Sequence, residues 1–188
     1  MLSKRIIACL DVRDGKVVKG VNFEGLRDAG DPAALARRYN SEGIDEVVIL
    51  DVTATIESRQ ARAHTIQAVA KEIFLPLCVG GGIRGEEDAA AAIEAGADKV
   101  SLNTAALSKP DLITTLANRY GSQAVIVAID AKTVEPSPAA SGFSRTVRNR
   151  YAVYARSGQA SANRDAVEWA REATDRAAGG DHGNIDGV

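Results

Sequence analysis

The sequence has little cysteine or histidine. Two cysteines, Cys9 and Cys78, and two histidines, His64 and His182, occur among 188 residues. Both cysteines lie inside apolar segments, and so low a number does not fit a disulfide-bonded scaffold or a cysteine-based zinc site. Two histidines give equally little support to metal catalysis. We therefore expect a function that needs neither a metal nor another cofactor.

The sequence also lacks an excess of charge and a long apolar run. It has 23 Lys and Arg residues against 25 Asp and Glu residues, a net charge of −2 and a pI near 5.8. This balance excludes the strongly basic surface that attracts nucleic acid or an anionic membrane. No apolar run approaches the ~18–20 residues that cross a bilayer, and no signal peptide follows Met1. We expect a soluble, cytoplasmic protein that holds any anion by local groups.

The sequence does contain a regular alternation of strands and helices. Five short apolar runs predict strands that are buried on both faces: 5–10, 46–50, 75–79, 99–102 and 124–129. Amphipathic stretches predict helices: 32–42, 59–73, 86–95, 109–119 and 165–178. Units of this kind imply right-handed parallel crossovers, and hence an α/β fold, either a barrel or a doubly wound open sheet.

One feature favours the barrel. Isolated polar residues stand where strands end, as at a barrel mouth: Asp11, Asp51, Asn103 and Asp130. A whole (βα)8 TIM barrel needs about 250 residues, so this chain holds about six of the eight units. We expect one domain over residues 1–188, a partial barrel without its last strands, with a long polar loop at 133–150 and a divergent, disordered tail at 179–188.

Asp11 and Asp130 are the first candidates for chemistry. Each follows a predicted strand, in the contexts Ala-Cys-Leu-Asp and Val-Ala-Ile-Asp. Two carboxylates that face each other across a pocket can act as general base and general acid if their environments separate their pKa values. The alternative is that each carboxylate caps a neighbouring loop.

A glycine-rich turn is the second candidate. Gly80, Gly81 and Gly82 separate a predicted strand from a predicted helix, so that backbone N–H groups could approach a phosphate. Asn103 and Thr104, at the end of the next strand, add donors on the same face. The alternative is an ordinary tight turn.

Charged residues supply the remaining candidates. Lys19 follows an Asp-Gly turn signal and could hold an anion at the barrel mouth, or could simply lie on a solvated hairpin. Arg5, Glu46 and Lys99 stand at strand starts, which places them at the opposite end of the barrel. Ionic groups there are costly unless paired, so a mutually satisfied ring is the simpler interpretation.

Several of these segments resemble one family. They are 4–12 (KRIIACLDV), 14–23 (DGKVVKGVNF), 79–84 (VGGGIR), 98–105 (DKVSLNTA) and 121–132 (GSQAVIVAIDAK). In this order they resemble the cyclase subunit of imidazole glycerol phosphate synthase, from the start of the chain to about residue 132 and again, weakly, at 165–170. After about residue 178 the chain departs from the family pattern.

The resemblance implies an activity in histidine biosynthesis. The family converts a bisphosphorylated formimino-carboxamide ribonucleotide and ammonia to imidazole glycerol phosphate and aminoimidazole carboxamide ribonucleotide. By position, Asp11 is the general base and Asp130 the general acid, and Lys19 lies in the loop that closes on substrate. The resemblance assigns a phosphate to Gly82, Asn103 and Thr104, and the gate of an ammonia passage to Arg5, Glu46 and Lys99. It implies a glutaminase subunit as the partner in a heterodimer.

Two alternatives stay open at this point. One is a non-catalytic barrel fragment that only binds the glutaminase, or that self-associates through exposed sheet edges, because the second phosphate site of the family has no counterpart here. The other is the aldose-ketose isomerase of the same pathway, which shares the barrel and an Asp at the same strand ends.

Overall fold

A computed structural model describes residues 4–21, 24–52, 58–134, 150–155, 158 and 160–178. They form two compact units. Unit 1 contains the residues up to Leu102 and Gln123–Ile126, and unit 2 contains Asn103–Ser122 and the residues from Val127 onward. Most of the loop expected at 133–150 and all of the tail expected at 179–188 lie outside the described residues. The expectation of one domain stays a prediction.

Unit 1 is built on a mixed sheet with helices between its parallel strands. Its elements in chain order are β1 (Ile7–Arg13), β2 (Lys16–Val21), β3 (Glu24–Gly30), α1 (Pro32–Ser41), β4 (Glu46–Asp51), α2 (Ser58–Ala70), β5 (Leu77–Gly80), α3 (Glu86–Glu94) and β6 (Lys99–Leu102). Strand β7 (Val125–Val127) completes the sheet, and its last residue is counted in unit 2. The sheet order is β3-β2-β1-β4-β5-β6-β7. Strands β1, β4, β5 and β6 run parallel to one another, whereas β2 is antiparallel to both β1 and β3. Among the described strands the sheet stays open, with β3 and β7 at its edges.

The core of unit 1 follows from its apolar runs. All four residues of β5 are buried, as expected of a parallel strand that is covered on both faces. Ile66 and Val69 bring the apolar face of α2 into this core. Helix α1 begins where Asp31 accepts a hydrogen bond from the Ala34 N–H at 2.8 Å, with Pro32 at the first helical position.

Two aspartates fix the parallel register at the strand starts. Asp45 donates its N–H to the carbonyl of Ile6 and accepts the Ile6 N–H through Oδ2 at 2.6 Å. Asp98 does the same with Leu77, whose N–H it accepts at 2.8 Å. Each aspartate therefore joins the start of its own strand to a neighbouring strand by two hydrogen bonds.

The Asp-Gly signal forms a hairpin turn, as predicted. Asp14 has φ +50° and Gly15 has φ +76°, the combination required in a two-residue turn of type I′. Arg13 of β1 pairs with Lys16 of β2, and Val12 pairs with Val17. Strand β2 therefore covers the end of β1.

The described residues of unit 2 contain three helices and a small sheet. Its elements are α4 (Thr104–Ser108), α5 (Asp111–Tyr120), β8 (Asp130–Val134), β9 (Arg150–Ala155), β10 (Ala160–Asp165) and α6 (Ala166–Ala177). The strands form an antiparallel sheet in the order β10-β9-β8. Helix α6 packs on β9 and β10 and buries Trp169, and the guanidinium of Arg164 lies 4.6 Å from the Trp169 ring. Asp111 of α5 and Arg176 of α6 form an ion pair at 2.6 Å.

The predicted α/β class and its parallel sheet are confirmed. The five predicted strands and five predicted helices all occur, with ends that differ by no more than three residues. The sheet β8-β9-β10 was not predicted, and β8 and β9 take in the two ends of the expected polar loop. No helix in the described ranges has the length and hydropathy needed to span a membrane.

Candidate functional site

One face of the unit 1 sheet carries three of the candidate residues, Asp11, Glu46 and Lys99. Along β1, Cys9 and Asp11 alternate with the buried Leu10 and Val12, so they share a face. In register, Cys9 lies beside Val48, Val48 beside Cys78, and Cys78 beside Lys99. Glu46 lies in the same way beside Ile7. This face therefore carries carboxylates at both ends of its strands.

Asp11 is half-buried, and it lies inside its strand. The sequence predicted Asp11 at the end of the first strand, but β1 continues to Arg13 because it pairs with β2. Burial raises the pKa of the Asp11 carboxyl above its ordinary value of 3.8. A higher pKa makes its carboxylate a stronger base.

The two cysteines of this face differ in exposure. Cys78 is buried, and burial raises its pKa to about 12, with a further contribution from the charge of Glu46. Cys9 is exposed, although desolvation by neighbouring atoms and the Asp11 charge raise its pKa. The burial and raised pKa of Cys78 do not fit a nucleophilic role.

The glycine turn after β5 is packed tightly against the end of β4. A Cβ on Gly81 would lie 2.6 Å from the Asp51 nitrogen, which real Cβ atoms do not reach. Gly81 and Gly82 have φ of +78° and +69°, a region that favours glycine. In the next helix, Asp88 accepts the Arg84 N–H at 3.0 Å. The Asp88 carboxylate therefore already binds one of the N–H groups near the start of α3. The backbone amides of the turn are therefore the better candidates to bind an anion.

A buried ion pair supports this turn, and only one of its two residues could be singled out from the sequence. Arg62 of α2 lies 3.1 Å from Oδ2 of Asp51, with side chains 10% and 8% exposed. The same guanidinium donates to the carbonyl of Gly81 at 3.4 Å. Asp51 stood out as a polar residue at a strand end. Arg62 gave no signal, because its contact depends on how α2 packs on the sheet.

Arg5, Glu46 and Lys99 come together at the strand starts, as predicted. Oε2 of Glu46 accepts from Nζ of Lys99 at 2.7 Å and from Nη1 of Arg5 at 3.4 Å. Glu46 is 2% exposed and Arg5 61% exposed. The register from Glu46 to Leu50 spans four residues, so this cluster lies about 13 Å along the strands from Asp11.

Lys19 is exposed on β2. It pairs with Arg27 of β3 in an antiparallel ladder whose register shifts between Lys19 and Val21. The structure thus places Lys19 on a hairpin, and its role at the barrel mouth stays a prediction.

In unit 2, Asn103 and Asp130 are joined directly. Asn103 Nδ2 donates to Oδ2 of Asp130 at 3.2 Å. Asparagine before a helix usually caps it, yet the Asn103 side chain makes no capping bond to α4. Thr104, the first residue of α4, is exposed. The Asn103 side-chain amide therefore binds the Asp130 carboxylate and does not cap α4.

Asp130 also differs from its predicted place. It was expected at the end of the fifth parallel strand, but β7 ends at Val127 and Asp130 begins β8, where it pairs with Tyr154. Asp11 and Gly82 belong to unit 1, whereas Asp130, Asn103 and Thr104 belong to unit 2. The opposition of two aspartates across one pocket stays a prediction.

Fold and site together define an α/β protein with polar groups and a glycine turn at the carboxyl ends of parallel strands. A family model described as "Histidine biosynthesis protein" matches residues 5–180. The chain belongs to this histidine biosynthesis family, whose fold is the (βα)8 barrel.

Two curated relatives are similar over most of this chain. It is 51% identical over 178 residues to imidazole glycerol phosphate synthase subunit HisF of Wolinella succinogenes. It is 48% identical over 178 residues to the subunit of the same name from Helicobacter hepaticus. Each match covers 95% of this chain, and the chain spans 66% of each relative's length. The resemblance to the cyclase subunit is thereby confirmed, and neither match favours the isomerase or the binding-only fragment.

Proposed function

We propose that this chain carries a cyclase site of imidazole glycerol phosphate synthase. Its substrates are a bisphosphorylated formimino-carboxamide ribonucleotide and ammonia, and its products are imidazole glycerol phosphate and aminoimidazole carboxamide ribonucleotide. The identity to HisF subunits carries this proposal. The chain acts in the cytoplasm and uses no metal or other cofactor.

Asp11 is the general base of this reaction and Asp130 the general acid. The raised pKa of Asp11 supports the first role, since a carboxylate buried beside apolar strands accepts a proton more readily than an exposed one. The amide of Asn103 supports the second role, because its N–H bond fixes the orientation of the Asp130 carboxyl.

One phosphate of the substrate binds to Gly82, Asn103 and Thr104. The left-handed backbone of Gly81 and Gly82 supports this role, because it opens amide groups to a ligand without a Cβ in the way. Lys19 closes over the substrate from the exposed hairpin. The Lys19 ammonium group would approach the phosphorylated substrate after the substrate has bound.

Ammonia comes from a glutaminase subunit that forms a heterodimer with this chain at the strand starts. The cluster of Arg5, Glu46 and Lys99 acts as the gate of the passage. Its position supports this role, because the cluster lies on the same sheet face as Asp11 and about 13 Å away along the strands. A small neutral molecule would cross that face between the side chains of Cys9, Val48 and Cys78.

Ammonia-dependent consumption of the ribonucleotide, followed by absorbance at saturating ammonium, tests the proposal. Asp11→Asn and Asp130→Asn should each reduce kcat by about 10²–10⁴, the usual contribution of general acid–base catalysis. Asp175→Asn, on the exposed face of α6, serves as the matched control and should retain the wild-type rate.

The pH profile gives a second readout. Asp11 must be ionised to act as a base, so kcat/KM should fall as the pH drops through its pKa, at a pH above 3.8. Absence of turnover in folded wild-type protein would contradict the proposed activity. A full rate in either carboxamide variant would instead remove that residue from its role.

A further inference from the structure

Arg62 lies directly behind the glycine turn. Its Nη1 donates to the carbonyl oxygen of Gly81 at 3.4 Å, and its Nε lies 3.1 Å from Oδ2 of Asp51. A Cβ built on Gly82 would come within 3.2 Å of Nη2. The guanidinium therefore packs against the turn on one side and against a carboxylate on the other.

The bond to the Gly81 carbonyl sets the direction of the next amide. In a trans peptide, the C=O of one residue and the N–H of the next point in opposite directions. Because the Gly81 oxygen points to Arg62, the N–H of Gly82 points away from it. That N–H is thus directed out of the packed side of the turn.

The backbone of the turn does not fix this orientation by itself. Gly81 and Gly82 are both glycines with positive φ, and glycine populates both signs of φ at similar cost. The peptide between them can rotate to the opposite orientation, in which the amide would point toward α2. A donor held at the Gly81 oxygen selects one orientation over the other.

Asp51 holds that donor in place. Its carboxylate is 8% exposed and pairs with a guanidinium that is 10% exposed. Separation of a buried Arg–Asp pair is strongly unfavourable, because it would leave each buried charge without its partner. The guanidinium is thereby kept beside Gly81.

We propose that Arg62 is a positioning residue of the phosphate site: it holds the Gly81–Gly82 peptide so that the Gly82 N–H faces the ligand. The inference rests on the proposed phosphate role of Gly82. It concerns a residue of α2 that acts through the backbone and does not itself touch the phosphate.

Titration of the ¹⁵N-labelled chain with inorganic phosphate, followed by NMR of the Gly82 amide, tests this inference. In the wild type the Gly82 N–H signal should move as phosphate is added. Arg62→Met should weaken phosphate binding about tenfold, as expected for loss of one hydrogen bond to an anion, and should abolish the Gly82 shift. Arg62→Lys should behave similarly, because one ammonium group cannot reach both Asp51 and Gly81.

Two further variants separate positioning from charge and from folding. Arg38→Met removes one cation from an exposed pair on α1 and should leave the Gly82 shift intact. Asp51→Asn with Arg62→Met removes both buried charges, which restores neutrality and protects the fold. Phosphate affinity should stay low in this double variant. Restored affinity would overturn the inference, because Arg62 would then act only by cancelling the Asp51 charge.

The proposed function and this inference fail in different ways. If the wild-type Gly82 amide does not respond to phosphate, the phosphate site itself is contradicted. If the wild-type amide responds and the Gly82 amides of Arg62→Lys and Arg62→Met respond as strongly as that of the wild type, only the positioning role is overturned.

Discussion

Glu46 brings a carboxylate to the buried start of β4. Its side chain accepts from Lys99 at 2.7 Å and from the far more exposed Arg5 at 3.4 Å. The mutual pairing that the sequence predicted for these residues is observed. Because water hardly reaches Glu46, Lys99 and Arg5 compensate its charge in place of water.

Removal of Glu46 should therefore cost far more than removal of Arg5. Glu46→Ala leaves the Lys99 ammonium without its carboxylate and should lower the free energy of unfolding by about 3 kcal/mol. Arg5→Met breaks only the exposed half of the cluster and should cost less than about 1 kcal/mol. Urea unfolding of the two variants beside the wild type measures both effects.

A double-variant comparison isolates the pair itself. Glu46→Ala with Lys99→Met should cost less than the sum of the two single changes, since no buried charge remains unpaired. Equal costs for Glu46→Ala and Arg5→Met would contradict the importance assigned to burial.

At the scale of elements, the turn between β5 and α3 combines backbone strain with crowding. Gly81 has φ +78°, and its missing Cβ leaves room for the Asp51 backbone. Gly43, after α1, has a similar φ of +83° but nothing within 4 Å of a Cβ. The two glycines differ mainly in what surrounds them.

Alanine at these two positions separates strain from crowding. Gly43→Ala should lower the free energy of unfolding by about 1–2 kcal/mol, the cost of placing a Cβ in the left-handed region. Gly81→Ala should cost clearly more, because the backbone of β4 must also move. Thermal and urea unfolding provide the comparison, and equal losses would show that the crowding is relieved without cost.

The sequence predicted those elements whose signal is local. Strand β6 and helix α1 were found because apolar periodicity and caps are written into neighbouring residues. The hairpin was found because Asp14-Gly15 demands a particular turn. Strands β8 and β10 were missed because their residues are mostly polar, and β8 forms by pairing with β9 across a long sequence separation.

The same distinction holds for the candidate site. Asp11 and Gly82 were predicted from their place after or between elements, although pairing with β2 extends the strand beyond Asp11. The contact of Arg62 with Asp51 and Gly81 requires the packing of α2 on the sheet, which no local pattern encodes.

At the scale of the whole molecule, the sheet of unit 1 offers an edge for self-association. Strand β2 pairs with β1 only at its end, from Val12 to Arg13. The start of β1, on the side that faces β2, has no strand partner among the described residues, and the neighbouring Ile6 is 65% exposed. Exposed apolar strand edges favour pairing between molecules.

A charge at this edge should reduce such pairing. In sedimentation experiments over a range of concentrations, the Ile6→Lys variant is expected to contain more monomer than the wild type. Val167→Lys is the matched control, because Val167 is 53% exposed but lies on helix α6. An equal shift in both variants would indicate a general effect of charge rather than an effect of the strand edge.

The burial of Trp169 has a practical consequence for folding studies. It is the only tryptophan in the chain, and it lies in unit 2 beneath Arg164. Its fluorescence therefore reports the unfolding of one unit, whereas circular dichroism follows the helices and strands of both. Superimposable transitions from the two signals would make the whole chain one cooperative folding unit, and separate transitions would give each unit its own stability.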